Sequence, residues 1–197
     1  MIPNIITIGR ILLTPIFIIC LFYDAPWAKP TALIVFIIAS ITDAWDGYIA
    51  RKKDMVTTTG KFLDPLADKI LVSSAFISFA IMGKIPYWMV VLIIFRDLFV
   101  TGLRMLFLNY VISLITSRIA KLKTAAQVIA ILFILTYFSL KALTSIDAGA
   151  VISVIDRFDL IYYFTLFVTL FTVYTGINYL YRNRTTIREF LISSDTY

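Results

Sequence analysis

The sequence predicts an all-α, polytopic membrane protein of six transmembrane helices, folded as a single domain over residues 1–197. Three observations lead there. Of the 197 residues, 60% are hydrophobic and 15% charged, with a mean hydropathy of +0.92, whereas a soluble domain carries about a quarter charged residues. The apolar residues fall into six runs, each close to the ~20 residues that cross a hydrocarbon core. The basic residues collect beside alternate ends of those runs, the distribution that orients membrane helices.

The runs follow in order. The first spans Ile5 to Tyr23, and Pro3 to Arg10 is expected to begin it as a short interfacial helix. Arg10 followed by an apolar stretch also has the polarity of a secretion signal. No small-x-small cleavage site follows, so the stretch reads as a retained helix. The others run from Thr31 to Arg51, Gly60 to Met82, Pro86 to Asn109, Ala120 to Leu143 and Leu160 to Tyr181. The stretches Asp24 to Pro30, Gly83 to Pro86 and Ser145 to Asp159 hold the helix breakers and read as connections. No internal repeat is evident.

With both termini inside, the cytoplasmic face receives Arg51, Lys52, Lys53, Lys61, Arg118, Lys121, Lys123, Arg182, Arg184 and Arg188. The opposite face receives Lys29, Lys84, Lys141 and Arg157. This bias predicts an N-in, C-in topology. It also accounts for the net charge of +6 without a nucleic-acid partner. The lone Cys20 cannot form an intrachain disulfide, and the absence of histidine removes that residue as base, metal ligand or pH switch.

The second and third runs carry the chemistry. Asp43, Asp46, Gly47 and Ala50 are related by three- and four-residue steps and share one helix face. Gly60, Asp64 and Asp68 follow four-residue steps and share another. The short polar link from Lys52 to Thr59 makes the two helices antiparallel neighbours, so their acidic faces can converge. A carboxylate at the centre of a membrane helix costs roughly 2.5–3.5 kcal/mol on insertion scales, and less toward the interface. Four together require a shared compensator, and few cations lie nearby. Oxygen donors without His or Cys suit a hard cation, Mg²⁺ or Mn²⁺. Gly47, Ala50 and Gly60 would let a ligand approach the backbone; each taken alone is equally a helix-packing residue.

The stretch from Asp43 to Asp68 reads D-A-W-D-G-Y-I-A-R-K-K-D-M-V-T-T-T-G-K-F-L-D-P-L-A-D. It resembles the signature D-x2-D-G-x2-A-R-x8-G-x3-D-x3-D of the CDP-alcohol phosphatidyltransferase family, with every fixed position and gap matched. That resemblance implies a six-helix fold, homodimeric, with an active site open to the cytoplasm of a bacterial inner membrane. It implies that Asp43, Asp46, Asp64 and Asp68 are metal ligands, with two ions expected. It implies that Gly47, Ala50 and Gly60 face the cytidine nucleotide of CDP-diacylglycerol, with Arg51 near its diphosphate. Asp68 is the candidate base as well as a ligand. It lies one helical turn deeper than Asp64, where neighbouring carboxylates raise its proton affinity.

Further stretches are similar to a bacterial branch of the family that uses glycerol 3-phosphate as acceptor. The opening P-N-I-I-T-I-G-R adds Asn4 and Thr7 to the CDP-lipid site. Arg96, Thr101 and Arg104 (R-D-x3-T-x2-R), with Arg118, Lys121 and Lys123 (the last two in K-L-K-T-x2-Q, which ends at Gln127), form a candidate pocket for the acceptor's phosphate. The plainer alternatives are that Arg96 and Asp97 neutralise one another and that Lys121 and Lys123 only set topology. Ala120 and Asp97 depart from the branch's usual glycine and glutamate, so phosphatidylglycerol, serine and an inositol phosphate remain alternative acceptors. A cation transporter would show inverted repeats and broken helices near the midplane, neither of which is visible here. From Leu132 onward the sequence carries no diagnostic residue.

Overall fold

The structure is a computed structural model. It describes the backbone of residues 2–53, 60–109, 118–143 and 148–188, and the side chains of residues 9, 11–42, 69–107, 122–143 and 148–188. Seven helices occur in these segments: α1 (Ile2–Phe22), α2 (Ala28–Lys53), α3 (Gly60–Ile81), α4 (Tyr87–Asn109), α5 (Arg118–Ala142), α6 (Gly149–Arg157) and α7 (Leu160–Arg182). Among the described residues there is no strand. Six of the seven helices coincide with the six apolar runs.

α1 is one continuous helix from Ile2 with Pro15 inside it, and residues 3–10 form its opening turns. One expectation is corrected. The connection expected over Ser145 to Asp159 contains α6. That helix is too short to register as a run, yet it is amphipathic: Ile155 is buried and Ile152 packs on the core, while Ser153, Asp156 and Arg157 are exposed. Asp159, with φ 46°, turns the chain from α6 into α7 in the left-handed region that Asp tolerates better than most residues.

α1 packs on both α2 and α3, while α5 touches α2, α3, α6 and α7, and α4 lies between α3 and α7. The centre is aromatic and aliphatic. Phe17 of α1 meets Phe36 of α2 with centroids 5.7 Å apart, and Phe79 of α3 meets Phe138 of α5 at 6.0 Å. The exterior is equally apolar: Leu12, Ile19, Ile38, Val91, Phe95, Phe167, Leu170 and Ile177 are all exposed. A soluble monomer rarely shows continuous apolar surface of this kind. Meanwhile Asp97, Lys123, Gln127, Thr165, Thr169 and Thr172 are buried. Polar groups inside and apolar groups outside is the arrangement that lipid selects.

Two stretches, Leu122–Ala142 and Leu160–Arg182, are long and apolar enough to cross a membrane, and Ile11–Phe22, Ala28–Thr42 and Lys69–Ile81 are shorter apolar helices. α4 is long enough to span but carries Arg96, Asp97 and Arg104. Tyr23, Trp27, Tyr87, Trp88 and Tyr163 are exposed at one end of the bundle, a belt typical of a membrane–water interface.

α3 ends in a defined stop. Gly83 has φ 70°, its N–H donates to Ala80 O (2.9 Å), and Lys84 N–H donates to Phe79 O (3.0 Å). This pair of bonds is a Schellman motif, which needs a left-handed residue after the helix. We expect Gly83→Ala to cost about 1–2 kcal/mol, the strain of an L-residue in that region. A thermal melt of the detergent-purified protein measures it, and an unshifted melting temperature would contradict the assignment of the stop.

Candidate active site

The four signature aspartates lie on two helices. Asp43 and Asp46 stand in the second half of α2, and Asp64 and Asp68 in the first turns of α3. The backbone is helical at all four, so the three- and four-residue steps do set shared faces. Both helices pack on α1 and on α5. The side chains of Asn4, Thr7, Asp43, Asp46, Gly47, Ala50, Arg51, Gly60, Asp64, Asp68, Arg118 and Lys121 lie outside the described residues. Among the described residues no group of three His, Cys, Asp or Glu could hold a metal. The donor set itself, four carboxylates without nitrogen or sulfur, fits Mg²⁺ or Mn²⁺ and fits a soft or borderline metal poorly.

A second cluster of charged residues lies on α4 and α5. That cluster is fully visible. Asp97 of α4 is 3% exposed, and Lys123 and Gln127 of α5 are each 1% exposed. Lys123 Nζ donates to both carboxylate oxygens of Asp97, at 2.6 and 2.7 Å. Arg96 NH1 donates to Oδ1 at 3.1 Å, and Gln127 Nε2 to Oδ2 at 3.2 Å. Gln127 Nε2 also reaches Thr172 Oγ1 of α7 at 3.4 Å. One carboxylate thus joins three helices.

Arg96 and Asp97 do pair, as the plainer alternative had it. Lys123 is not a topology charge at the water boundary, since its ammonium is buried against Asp97. Of the other residues assigned to the acceptor's phosphate, Thr101 is half-buried and Arg104 exposed on α4.

α7 contributes what the sequence reading missed. Thr165, Thr169, Thr172, Thr175, Gly176 and Tyr179 are all buried, facing α4 and α5. A Cβ on Gly176 would sit 2.9 Å from Arg96 Cγ, so only glycine leaves room for the arginine stem. Tyr179 is near enough to Arg96 and Arg104 to feel both charges. Tyr179 Oη, Arg96 Nε and Gln127 Oε1 are buried without a protein partner among the described residues. Such groups cost about 1–3 kcal/mol each when left unsatisfied, and they sit one each on α7, α4 and α5. The available signal was the 4-3-4-3 spacing of small and hydroxyl residues at 165, 169, 172, 176 and 179, which reads as helix packing when taken alone.

Comparison with known proteins identifies the family. Residues 1–170 match the family model described as CDP-alcohol phosphatidyltransferase. The chain belongs to the CDP-alcohol phosphatidyltransferase family. The signature from Asp43 to Asp68 is therefore that of a true CDP-alcohol phosphatidyltransferase, a family dependent on divalent metal. A relative from Bacillus subtilis is 45% identical over 141 residues, covering 66% of this chain and 73% of its own. One from Rickettsia bellii is 35% identical over 174 residues, covering 88% and 91%. One from Cereibacter sphaeroides is 41% identical over 135 residues, covering 66% and 61%. All three are named CDP-diacylglycerol–glycerol-3-phosphate 3-phosphatidyltransferase.

The buried pair in this CDP-alcohol phosphatidyltransferase is directly testable. Lys123→Met strands the Asp97 carboxylate, and breaking a buried pair from one side costs about 3–5 kcal/mol. Asp97→Asn combined with Lys123→Met removes both charges yet keeps an acceptor for Arg96 and Gln127, and we expect it to recover part of that loss in a thermal melt. A double variant as unstable as the single one would contradict the burial described.

Proposed function

We propose that this chain transfers the phosphatidyl group of CDP-diacylglycerol to sn-glycerol 3-phosphate, giving phosphatidylglycerophosphate and CMP in phospholipid biosynthesis. The observation that carries the acceptor is the naming of relatives at 35–45% identity for that reaction, together with the unbroken aspartate signature. A single domain over residues 1–197, six spans with both termini inside, a homodimer in the bacterial cytoplasmic membrane and a site facing the cytoplasm complete the reading. The basic-residue bias supports this orientation.

In this mechanism Asp43, Asp46, Asp64 and Asp68 would hold Mg²⁺ or Mn²⁺, as two ions, which would supply positive charge against the diphosphate and so ease the departure of CMP. Gly47, Ala50 and Gly60 leave backbone room for the cytidine, Asn4 and Thr7 contact the CDP-lipid, and Arg51 stands near its diphosphate. The acceptor hydroxyl attacks the phosphorus that carries diacylglycerol. Its new O–P bond forms as the bond to the CMP oxygen breaks, and Asp68 takes the hydroxyl proton. Arg96, Thr101, Arg104, Arg118 and Lys121 receive the acceptor's phosphate. Lys123 serves that pocket by fixing Asp97 and through it Arg96. Tyr179 adds a hydroxyl donor from α7.

Two variant sets test the roles. Asp64→Asn should weaken both CDP-diacylglycerol binding at fixed Mn²⁺ and turnover. Asp68→Asn should keep binding while turnover falls about 10²–10⁴-fold, the usual contribution of a general base. Equal loss of binding in both would make Asp68 chiefly a ligand. Arg104→Ala should raise the Michaelis constant for glycerol 3-phosphate about ten-fold or more, since a charged hydrogen bond contributes about 1.5–3 kcal/mol. The constant for CDP-diacylglycerol should barely move. An unchanged acceptor dependence would point instead to a neutral acceptor.

A further inference from the structure

A second charged cluster lies at the other end of the bundle, away from the aspartates. The C-terminus of α1, the first turn of α2, the turn after α3, the last turn of α5 and α6 converge there. Tyr137 of α5 is 1% exposed and organises them. Its hydroxyl donates to Asp156 Oδ1 of α6 at 2.8 Å. The same oxygen accepts from Lys84 Nζ at 3.3 Å and Lys141 Nζ at 3.4 Å. A phenol has one proton and two acceptor sites, so this one is saturated. Both ammonium groups also sit over the ring, 5.0 and 5.6 Å from its centroid.

Two like charges are therefore gathered on one neutral side chain. Among the described residues neither Lys84 nor Lys141 forms an ion pair with a carboxylate. An ammonium carries three donors, and most of theirs remain unused. Beside Lys141 opens a cavity of about 310 Å³, lined also by Lys29, Asp24, Pro26, Phe138 and Ala142. Lys29 Nζ donates to Tyr23 O at 2.6 Å and lies 3.5 Å from Asp24. Asp24 is the one carboxylate on the lining, and its side chain is fully exposed. The cavity is positive on balance and has an aromatic wall.

Depth identifies the ligand's surroundings. The exposed Tyr23, Trp27, Tyr87 and Trp88 mark this end as headgroup level, and exposed Ile19 and Ile81 continue the surface toward the bilayer core. A site here meets phosphate attached to acyl chains, and its lysines favour anionic lipids. We propose that Lys141 and Lys29, which line the cavity, bind the phosphate of an anionic phospholipid in the leaflet opposite the active site, with Lys84 adding positive charge beside Lys141 on the Tyr137 hydroxyl. The bound lipid would tie α6 and the α1–α2 corner to α5. The inference does not depend on which acceptor the enzyme uses.

Native mass spectrometry of the detergent-purified protein tests it, with dihexanoyl phosphatidylglycerol, dihexanoyl phosphatidylcholine and inorganic phosphate as probes. The variants are Lys84→Gln combined with Lys141→Gln, and Lys141→Gln alone, whose exposed side chain leaves the fold least disturbed. CMP release at the wild-type rate confirms that each is folded. Phosphatidylglycerol should bind the wild type in preference to phosphatidylcholine, and the double variant about ten-fold more weakly, the scale of one lost charged hydrogen bond. Competition by inorganic phosphate would support the phosphate site and assign it a soluble ligand. Absence of that competition would assign it the lipid. Undiminished phosphatidylglycerol binding in both variants, or equal binding of phosphatidylcholine, would overturn the proposal.

Discussion

Charge inside an apolar bundle has to be neutralised locally, and the pairing of Asp97 with Lys123 is where this protein meets that requirement. A lone ion moved from water to a low-dielectric interior is penalised by several kcal/mol even after relaxation. Here the two carboxylate oxygens of Asp97 are taken up by Lys123, Arg96 and Gln127 together. Because the donors come from α4 and α5, and Gln127 also reaches α7, satisfying one carboxylate fixes the relative positions of three helices. The position of Arg96 follows, since its guanidinium is held at one end by Asp97 and its stem fits against Gly176.

The same requirement explains the inside-out chemistry of the bundle. α7 turns threonines and a glycine inward and phenylalanine, leucine and isoleucine outward. In lipid, apolar side chains gain nothing from leaving the bilayer, so small and hydrogen-bonding residues are what hold helices together. The proposed metal site poses the same problem at larger scale: four aspartates on α2 and α3 need positive charge, and a divalent cation supplies it compactly. On that proposal both acidic groups are stabilised by cations, one built into the chain and the other acquired from solution.

How much of this was readable in advance depended on the range of the interaction. Helix existence was legible because apolar runs are local, and six helices lie where the runs lie. α6 was not, since nine residues give too little pattern to separate an amphipathic turn from a loop. The aspartate signature was legible because its chemistry is carried by spacing along two consecutive helices. The partner of Lys123 was not, because Asp97 is 26 residues away and a lysine in K-L-K reads as part of a phosphate pocket or as a topology charge. Tyr179 and Gly176 were invisible for a related reason. Their significance lies in what α4 presents to them, and α7 alone shows only small residues at packing intervals.

The central claim is that a metal-dependent phosphatidyl transfer ends on glycerol 3-phosphate. The most direct measurement offers purified protein CDP-diacylglycerol labelled in its acyl chains, with Mg²⁺ or Mn²⁺, against glycerol 3-phosphate, phosphatidylglycerol, serine and inositol phosphate in separate reactions. The lipid products and released CMP are then quantified. The account predicts stoichiometric CMP and phosphatidylglycerophosphate with glycerol 3-phosphate alone, abolished by chelation. Product formed preferentially with another acceptor, or CMP release that survives metal removal, would contradict it.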